Sequence, residues 1–330
     1  MAVPNSSFSE LASLTIESRS PTIADNFSVS TALLFRLREK GKIKFWTGGT
    51  TILQHLAYQE NGTFTRFSGY DTVDISPSDV FTSANFSPKQ ASVAVTISKL
   101  EELQNSGKEQ MFDLLEERIA NAEQTLIQNI GLDMYSDGTG SGSKQIGGLA
   151  HLIPSDPTTG TVGGIDRATW TFWRPSLVDA SVGIGGGAVT TSATTIQSLM
   201  TYAVLNQTRN NESPDLIIGD NTYYSYYLAS LQGNQRFTNA KLAEGGFENV
   251  RFMGADVTFD GGVGGGLSAG SKLFYVLNTN YIHFRPHKNA YFVPAEADRY
   301  SVNQLAMVKL IHFAGNMTIS NSRLQGRIQE

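Results

Sequence analysis

One stretch constrains the fold more than any other: "SGKEQMFDLLEERIANAEQTLIQNIGLDMYSDG", running from Ser106 to Gly138. It opens with Ser106-x-x-Glu109, a capping box that satisfies free amides at a helix start. Met111, Leu115, Ile119, Ala122, Leu126 and Ile130 then recur every three or four residues, which puts them on one stripe. Glu116, Glu117, Arg118, Asn121 and Gln124 largely fill the other face. The spacing predicts one helix over about 106–135, roughly 45 Å long at 1.5 Å per residue. That is far longer than the average of about 11–12 residues. A long helix with a single apolar stripe must lie along a sheet.

The strands for that sheet stand on both sides of the helix. Before it, "PKQASVAVTIS" alternates Ala91, Val93, Val95 and Ile97 with smaller polar residues, the pattern of a half-buried strand. At the C-terminus, "KLFYVLNTNYIHFRPHKNAYFV" and "QLAMVKLIHFAGNMTISN" are also strand-like. Between them "TTIQSLMTYAVLNQTR" reads as a helix and "DLIIG" as a buried strand. "NTYYSYYLASLQ" reads as a helix capped by Asp220 or Asn221, and "VRFMGADVTFDGG" as strands. The class is therefore α+β, with strands from both ends sharing one sheet and a unit around 194–280 inserted between them.

The N-terminal side is different in character. A polar, Ser-rich arm ends in a predicted short helix from Ser30 to Lys40, with Ser30 as N-cap and Gly41 as its stop. Gly48 to Asp79 then reads as two short strands joined at Asn61-Gly62, because both residues tolerate positive φ. A lone two-stranded hairpin is marginal in water. This one needs something to pack against.

Composition narrows the partners. Charged residues are 17% of the 330 and the formal charge is −5, which argues against nucleic acid or an anionic membrane as the principal partner. There is no cysteine, hence no thiolate nucleophile, disulfide framework or Cys-type zinc site. The N-terminus lacks the basic and apolar regions of a signal peptide, and no apolar run approaches the roughly 18 residues of a membrane helix. The expectation is an intracellular product without a membrane partner.

No constellation carries catalysis. "GIGGGAVTT" (Gly183–Thr191) lacks the Gly-Lys-Ser/Thr of a phosphate loop, and "DGGVGGGLSAG" (Asp260–Gly270) reads as a loop tip. His283 and His287 lie four apart in a strand-like stretch, where about 13 Å separates them, too far for one metal ion. No Gly-x-Ser-x-Gly elbow supports a serine hydrolase. Tyr223, Tyr224, Tyr226 and Tyr227 on one short helix read as core packing or a subunit contact. The expectation is no catalytic residue, no metal and no cofactor. Extended segments that cannot bury themselves in one subunit bury against another. That favours an assembly protein.

Taken in order, the segments resemble the major capsid proteins of tailed bacteriophages, the Johnson fold shared with herpesvirus capsid floors and encapsulin shells. "KGKIKFWTGGTTILQHLAYQENGTFTRFSGYDTVDISPSD" is similar to the end of an N-arm and an E-loop. "ASVAVTISKLEELQNSGKEQMFDLLEERIANAEQTLIQNIGLDMYSDGTG" is similar to a P-domain strand and spine helix, "IGGLAHLI" and "GTVGGIDRATW" to the segments that follow it. "PDLIIGDNTYYSYYLASLQGNQRFTNAKLAEGGFENVRFMGADVTFDGG" is similar to an A-domain, and "LFYVLNTNYIHFRPH" to the return into the P-domain. The resemblance implies an N-arm at 1–45 and an E-loop at 46–79. It implies a P-domain at 80–165 and 283–330 with a peripheral sheet, and an A-domain at 166–282.

The resemblance also implies a function. The chain would self-assemble through pentamers and hexamers into an icosahedral shell, the virion head, around double-stranded DNA that it does not bind sequence-specifically. The E-loop would reach over a neighbouring subunit, with Leu53, Tyr58, Phe64, Arg66, Phe67 and Tyr70, and Tyr223 and Tyr227 of the A-domain, as the expected inter-subunit contacts. A portal and a decoration protein are the further partners it implies, with either a separate scaffolding protein or scaffold-free assembly. Some relatives crosslink an E-loop lysine to a neighbour; here no lysine lies between Lys44 and Lys89, so a shell without covalent crosslinks is expected. An encapsulin-like compartment shell, a glycan-binding or fibre-forming β protein and a carboxylate hydrolase are the alternatives.

Overall fold

A computed structural model of the chain describes residues 31–98, 100, 108–184, 187–231, 249–260, 272–294, 299–300 and 306–330. The long helix is there as α2, Lys108–Asp133, 26 residues and so about 39 Å. Ile119, Ala122, Leu126 and Ile130 are buried along it, as their spacing requires. Ser106, the expected cap, and the side chains of Met111 and Leu115 lie outside the described residues.

The sheet that α2 needs comes from both sides of it in the chain. Strand β3 (Lys89–Ser98) pairs antiparallel with β13 (Ala306–Ile319), in register from Gly315↔Lys89 to Ala306↔Ser98. On the other side of β13 lie β11 (Ile282–Pro294) and the two-residue β12 (Arg299–Tyr300). Val95 and Ile97 point inward while Ser92, Ala94 and Thr96 face out, the alternation read from the sequence. Helix α2 packs against β3.

A second, six-stranded sheet has the order β6-β14-β10-β7-β9-β8. Its strands are β6 (Ser176–Asp179), β7 (Leu216–Gly219), β8 (Asn249–Phe252), β9 (Ala255–Phe259), β10 (Leu273–Leu277) and β14 (Gly326–Gln329). Leu216, Ile218, Leu273, Tyr275 and Leu277 face the core shared with α2 and the first sheet. Ile217, Phe274, Val276 and Ile328 face the opposite core, closed by α3 (Ile196–Gln207) and α4 (Asn221–Ser230). Burial on both faces is why these strands read as continuous apolar runs. Asp220 caps α4, its Oδ1 accepting from Tyr223 N at 3.0 Å.

Two boundaries differ from the sequence reading. The last strand, β14, lies in the six-stranded sheet, parallel to β6 and antiparallel to β10, and not with the first sheet. Its four residues give too short a pattern to assign to a sheet from sequence. The helix near the arm is α1 (Ala32–Glu39), capped by Thr31, whose Oγ1 accepts from Leu34 N; Ser30 lies outside the described residues. Gly41 does terminate it, at φ +63°.

Helix α1 ties the two sheets together. Ala32, Leu33, Leu34 and Leu37 are buried, and Arg36 reaches Asp215 at 3.2 Å and Asp256 at 3.4 Å. Lys40 meets Asp215 at 2.9 Å. The chain beyond it runs parallel to β11, with Lys44 N donating to Phe284 O and Trp46 N to Pro286 O, both at 2.9 Å. A third tie lies at the end of α2, where the Tyr135 hydroxyl donates to the Asp260 carboxylate next to β9. Burial pushes the pKa of both groups up.

Candidate inter-subunit surface

Strands β1 (Ile52–Ala57) and β2 (Phe81–Phe86) form a two-stranded antiparallel ribbon, in register from Ile52↔Phe86 to Ala57↔Phe81. Ile52, Leu56, Ala84 and Phe86 are buried against the body of the subunit. Leu53, Ala57, Phe81 and Asn85 face outward. This corrects the expected hairpin: β1 pairs with β2 and not with the residues just after Asn61-Gly62. The Asn61 side chain makes the difference. Its Oδ1 accepts from Thr63 N at 3.1 Å and from Thr63 Oγ1 at 2.8 Å, a local turn that bends the chain without closing a two-residue hairpin.

The ladder continues one step past β1, with Tyr58 N donating to Val80 O at 3.1 Å, and then stops. From there the loop is shaped by its own side chains. Ser68 N donates to Asp71 Oδ2 at 3.0 Å, and Ser76 donates to Asp74 Oδ1 through its Oγ at 2.6 Å and its N at 2.9 Å, which holds the Asp74 carboxyl below its usual pKa. The Arg66 guanidinium lies over the Phe64 ring at 5.5 Å. Gly62 N and Ser78 Oγ, 3.5 Å apart, link the two limbs.

Among what this loop exposes are large apolar side chains. Phe64 is 76% accessible, Phe67 66%, Tyr70 fully and Ile75 93%, and Leu53 and Phe81 are exposed on the outward face of the ribbon. An exposed apolar surface on this scale marks an interaction site. Leu53, Phe64, Arg66, Phe67 and Tyr70 of the sequence reading are all exposed here. Tyr58 is half-buried at the root, ring against Trp170 at 6.0 Å and Phe172 at 5.8 Å. Ile75 and Phe81 are exposed as well and were not among the residues of the sequence reading; the strand-like alternation of Val73 and Ile75 was the signal for the first.

Tyr223 and Tyr227 belong elsewhere. Both are fully buried under the six-stranded sheet, Tyr223 against Phe274 at 5.4 Å and Tyr227 edge-on to Phe252 at 5.9 Å. The Tyr227 hydroxyl donates to Arg251 O at 3.1 Å, and burial pushes its pKa up to about 12. A tyrosine-rich helix satisfies the core and the contact readings equally in sequence. Burial removes both residues from the surface.

The root of the ribbon is tied to the body by hydrogen bonds and close packing. Asn85 N donates to Gly163 O at 2.8 Å, in the turn between β4 (Thr161–Val162) and β5 (Ile165–Asp166). Gly163 has φ +61°, and a Cβ there would meet Ala84 Cβ at 2.7 Å. Behind it, buried Arg167 donates to Leu152 O and Trp173 O, and Trp173 Nε1 donates to Val162 O at 3.0 Å. Beside the root lies a cleft of about 720 Å³ lined by Tyr58, Phe172, Trp173, Arg209, Glu212 and Arg323 among others.

The described residues include no group of three His, Cys, Asp or Glu arranged to hold a metal. His283 and His287 both sit on β11, as their strand-like setting implied. No helix among the described residues is long and apolar enough to cross a membrane.

No protein-family model matches the chain, and no curated protein matches it. Solved structures do. A chain of the cyanophage A-1(L) capsid asymmetric unit aligns with TM-score 0.64 and 15% identity, over 88% of this chain and 90% of that one. The capsid of a native GTA particle aligns with TM-score 0.53 and 12% identity, over 91% and 90%. The capsid of Myoviridae phage XM1 aligns with TM-score 0.51 and 13% identity, over 89% and 91%. At such identities the likeness speaks for architecture. The chain has the α+β fold of phage capsid subunits, along nearly its whole length.

Proposed function

We propose that the chain is the major capsid protein of a tailed bacteriophage, assembling through pentamers and hexamers into the icosahedral shell of the virion. The observation that carries this is the loop 58–80: a ribbon packed on the body presents Phe64, Phe67, Tyr70 and Ile75 to solvent, on a fold shared with capsid subunits. Repeated around a symmetry axis, one such heterologous contact closes a ring. In this reading the four-stranded sheet and α2 are the P-domain and its spine. The six-stranded sheet with α3 and α4 is the A-domain, β14 included, and the loop is the E-loop lying on the next subunit.

The proposed partners beyond the chain itself are a portal, a separate scaffolding protein and a decoration protein. The net charge of −5 suits a wall that encloses double-stranded DNA without gripping it, since phosphate contacts would add non-specific affinity. The role is structural, with no catalytic step. Fold likeness to capsids of a cyanophage and a myovirus favours this over a cargo-carrying compartment shell or a fibre.

Electron microscopy of the purified protein, paired with sedimentation velocity, tests it. Closed shells, or rings of five and six, are expected, alone or on adding the neighbouring gene products. A protein that stays monomeric with every one of those products present would defeat the proposal. With no lysine between Lys44 and Lys89, denaturing gels of the shells should show single subunits and no crosslinked ladder.

A further inference from the structure

The loop holds the only Asn-Gly pair in the chain, Asn61-Gly62, and both residues are exposed. Asn61 Oδ1 accepts two hydrogen bonds, from Thr63 N at 3.1 Å and Thr63 Oγ1 at 2.8 Å. Both donors draw electron density from the side-chain carbonyl and leave Cγ more electrophilic. Both also stabilise the negative charge that forms on Oδ1 when a nucleophile adds. The nucleophile is next door. Gly62 N carries no flanking side chain, a Cβ on Gly62 would meet nothing within 4 Å, and its one partner is Ser78 Oγ at 3.5 Å, a weak hydrogen bond.

We propose that Asn61 is a site of spontaneous covalent modification, deamidating through a cyclic imide. Hydroxide removes the Gly62 amide proton and the nitrogen attacks Asn61 Cγ. The new N–Cγ bond forms, the Cγ–Nδ2 bond breaks, and Nδ2 leaves as ammonia after taking up a proton. Water then adds to one of the two imide carbonyls. Opening on one side leaves aspartate; opening on the other leaves isoaspartate, with an extra methylene in the backbone. One water is consumed and one ammonia released for each event, with no oxidant or reductant. Each event adds a carboxylate to a loop that already carries Glu60, Asp71, Asp74 and Asp79 against Arg66 alone.

The chain contains its own comparison. Asn321 makes the same kind of turn, its Oδ1 accepting from Arg323 N at 3.1 Å, but it is half-buried and is followed by Ser322, which is fully buried. The turn alone therefore does not single out Asn61. The glycine and the open approach do.

A second consequence rests on the proposed function: where the loop lies on a neighbouring subunit, Asn61 is covered and its modification slows.

The experiment is peptide mapping by mass spectrometry of the purified, unassembled protein during incubation at several pH values, with isoaspartate quantified enzymatically. The expected result is a one-dalton gain at Asn61 that outpaces Asn321 at least tenfold. Its rate should rise in proportion to hydroxide, and isoaspartate should form along with aspartate. Gly62→Ala, which has room for its methyl group, should slow it severalfold. Modification of Asn61 no faster than of Asn321, or aspartate without isoaspartate, would overturn the proposal. Assembled shells incubated in parallel should be protected severalfold. Fast modification of the free protein with equal modification in shells would leave the chemistry standing and refute the covering of the loop.

Discussion

Arg167 shows how a single residue stabilises the root from which the loop rises. Its side chain is 1% exposed and is held by the carbonyls of Leu152 and Trp173, with burial pulling its pKa down to about 10, still charged at neutral pH. Removing a charged donor leaves buried carbonyls unpaired, at about 1–3 kcal/mol each. Arg167→Met is expected to lose about 2–4 kcal/mol in denaturant unfolding on the same physics. His283 makes a pH prediction. Burial, then Lys44, Arg285 and Lys42, hold its pKa down to about 4 from an ordinary value of 6.5. The folded chain therefore binds fewer protons than the unfolded one between those values, and stability falls as pH drops from 6.5 towards 4. His283→Gln should flatten that part of the curve of melting temperature against pH; an unchanged slope would exclude His283 as its source.

At the scale of elements, α2 and its sheet were legible because one physical signal dominates each: a stripe for the helix, strict alternation for β3. The β1–β2 ribbon was not. Its partners are separated by 23 residues, and the strongest local turn signal, Asn61-Gly62, sits inside the gap and drew the strands to itself. Tyr223 and Tyr227 were misplaced for a related reason, since a polar tip on a large apolar body suits either core or interface. The turn after α2 was invisible too, because it depends on close approach. Leu149 N donates to Met134 O at 2.8 Å across Gly148, and a Cβ on Gly148 would stand 2.3 Å from Asp133 O. Gly148→Ala forces backbone apart and should cost about 1–3 kcal/mol. Gly62→Ala, with open space around it, should leave the denaturant midpoint almost unchanged.

For the whole molecule, the loop is the part that the isolated subunit does not need. Residues 59–79 contribute nothing to either buried core, and the ribbon beneath them closes with Tyr58 N on Val80 O. Replacing Gln59–Asp79 by a two-residue Asn-Gly turn would let the existing register run straight through, since that turn matches the twist of paired strands. Loop closure becomes cheaper as well, by about 0.6 kcal/mol for each halving of length. The shortened chain should therefore unfold at the same denaturant concentration as the parent or a higher one, with the same far-ultraviolet circular dichroism. On the proposed function, assembly is where it should fail, because Phe64, Phe67, Tyr70 and Ile75 leave with the loop. Stable, folded subunits that sediment as monomers under conditions where the parent forms shells would locate the assembly energy in this one excursion. Shells of normal size from the shortened chain would move it to other surfaces of the subunit.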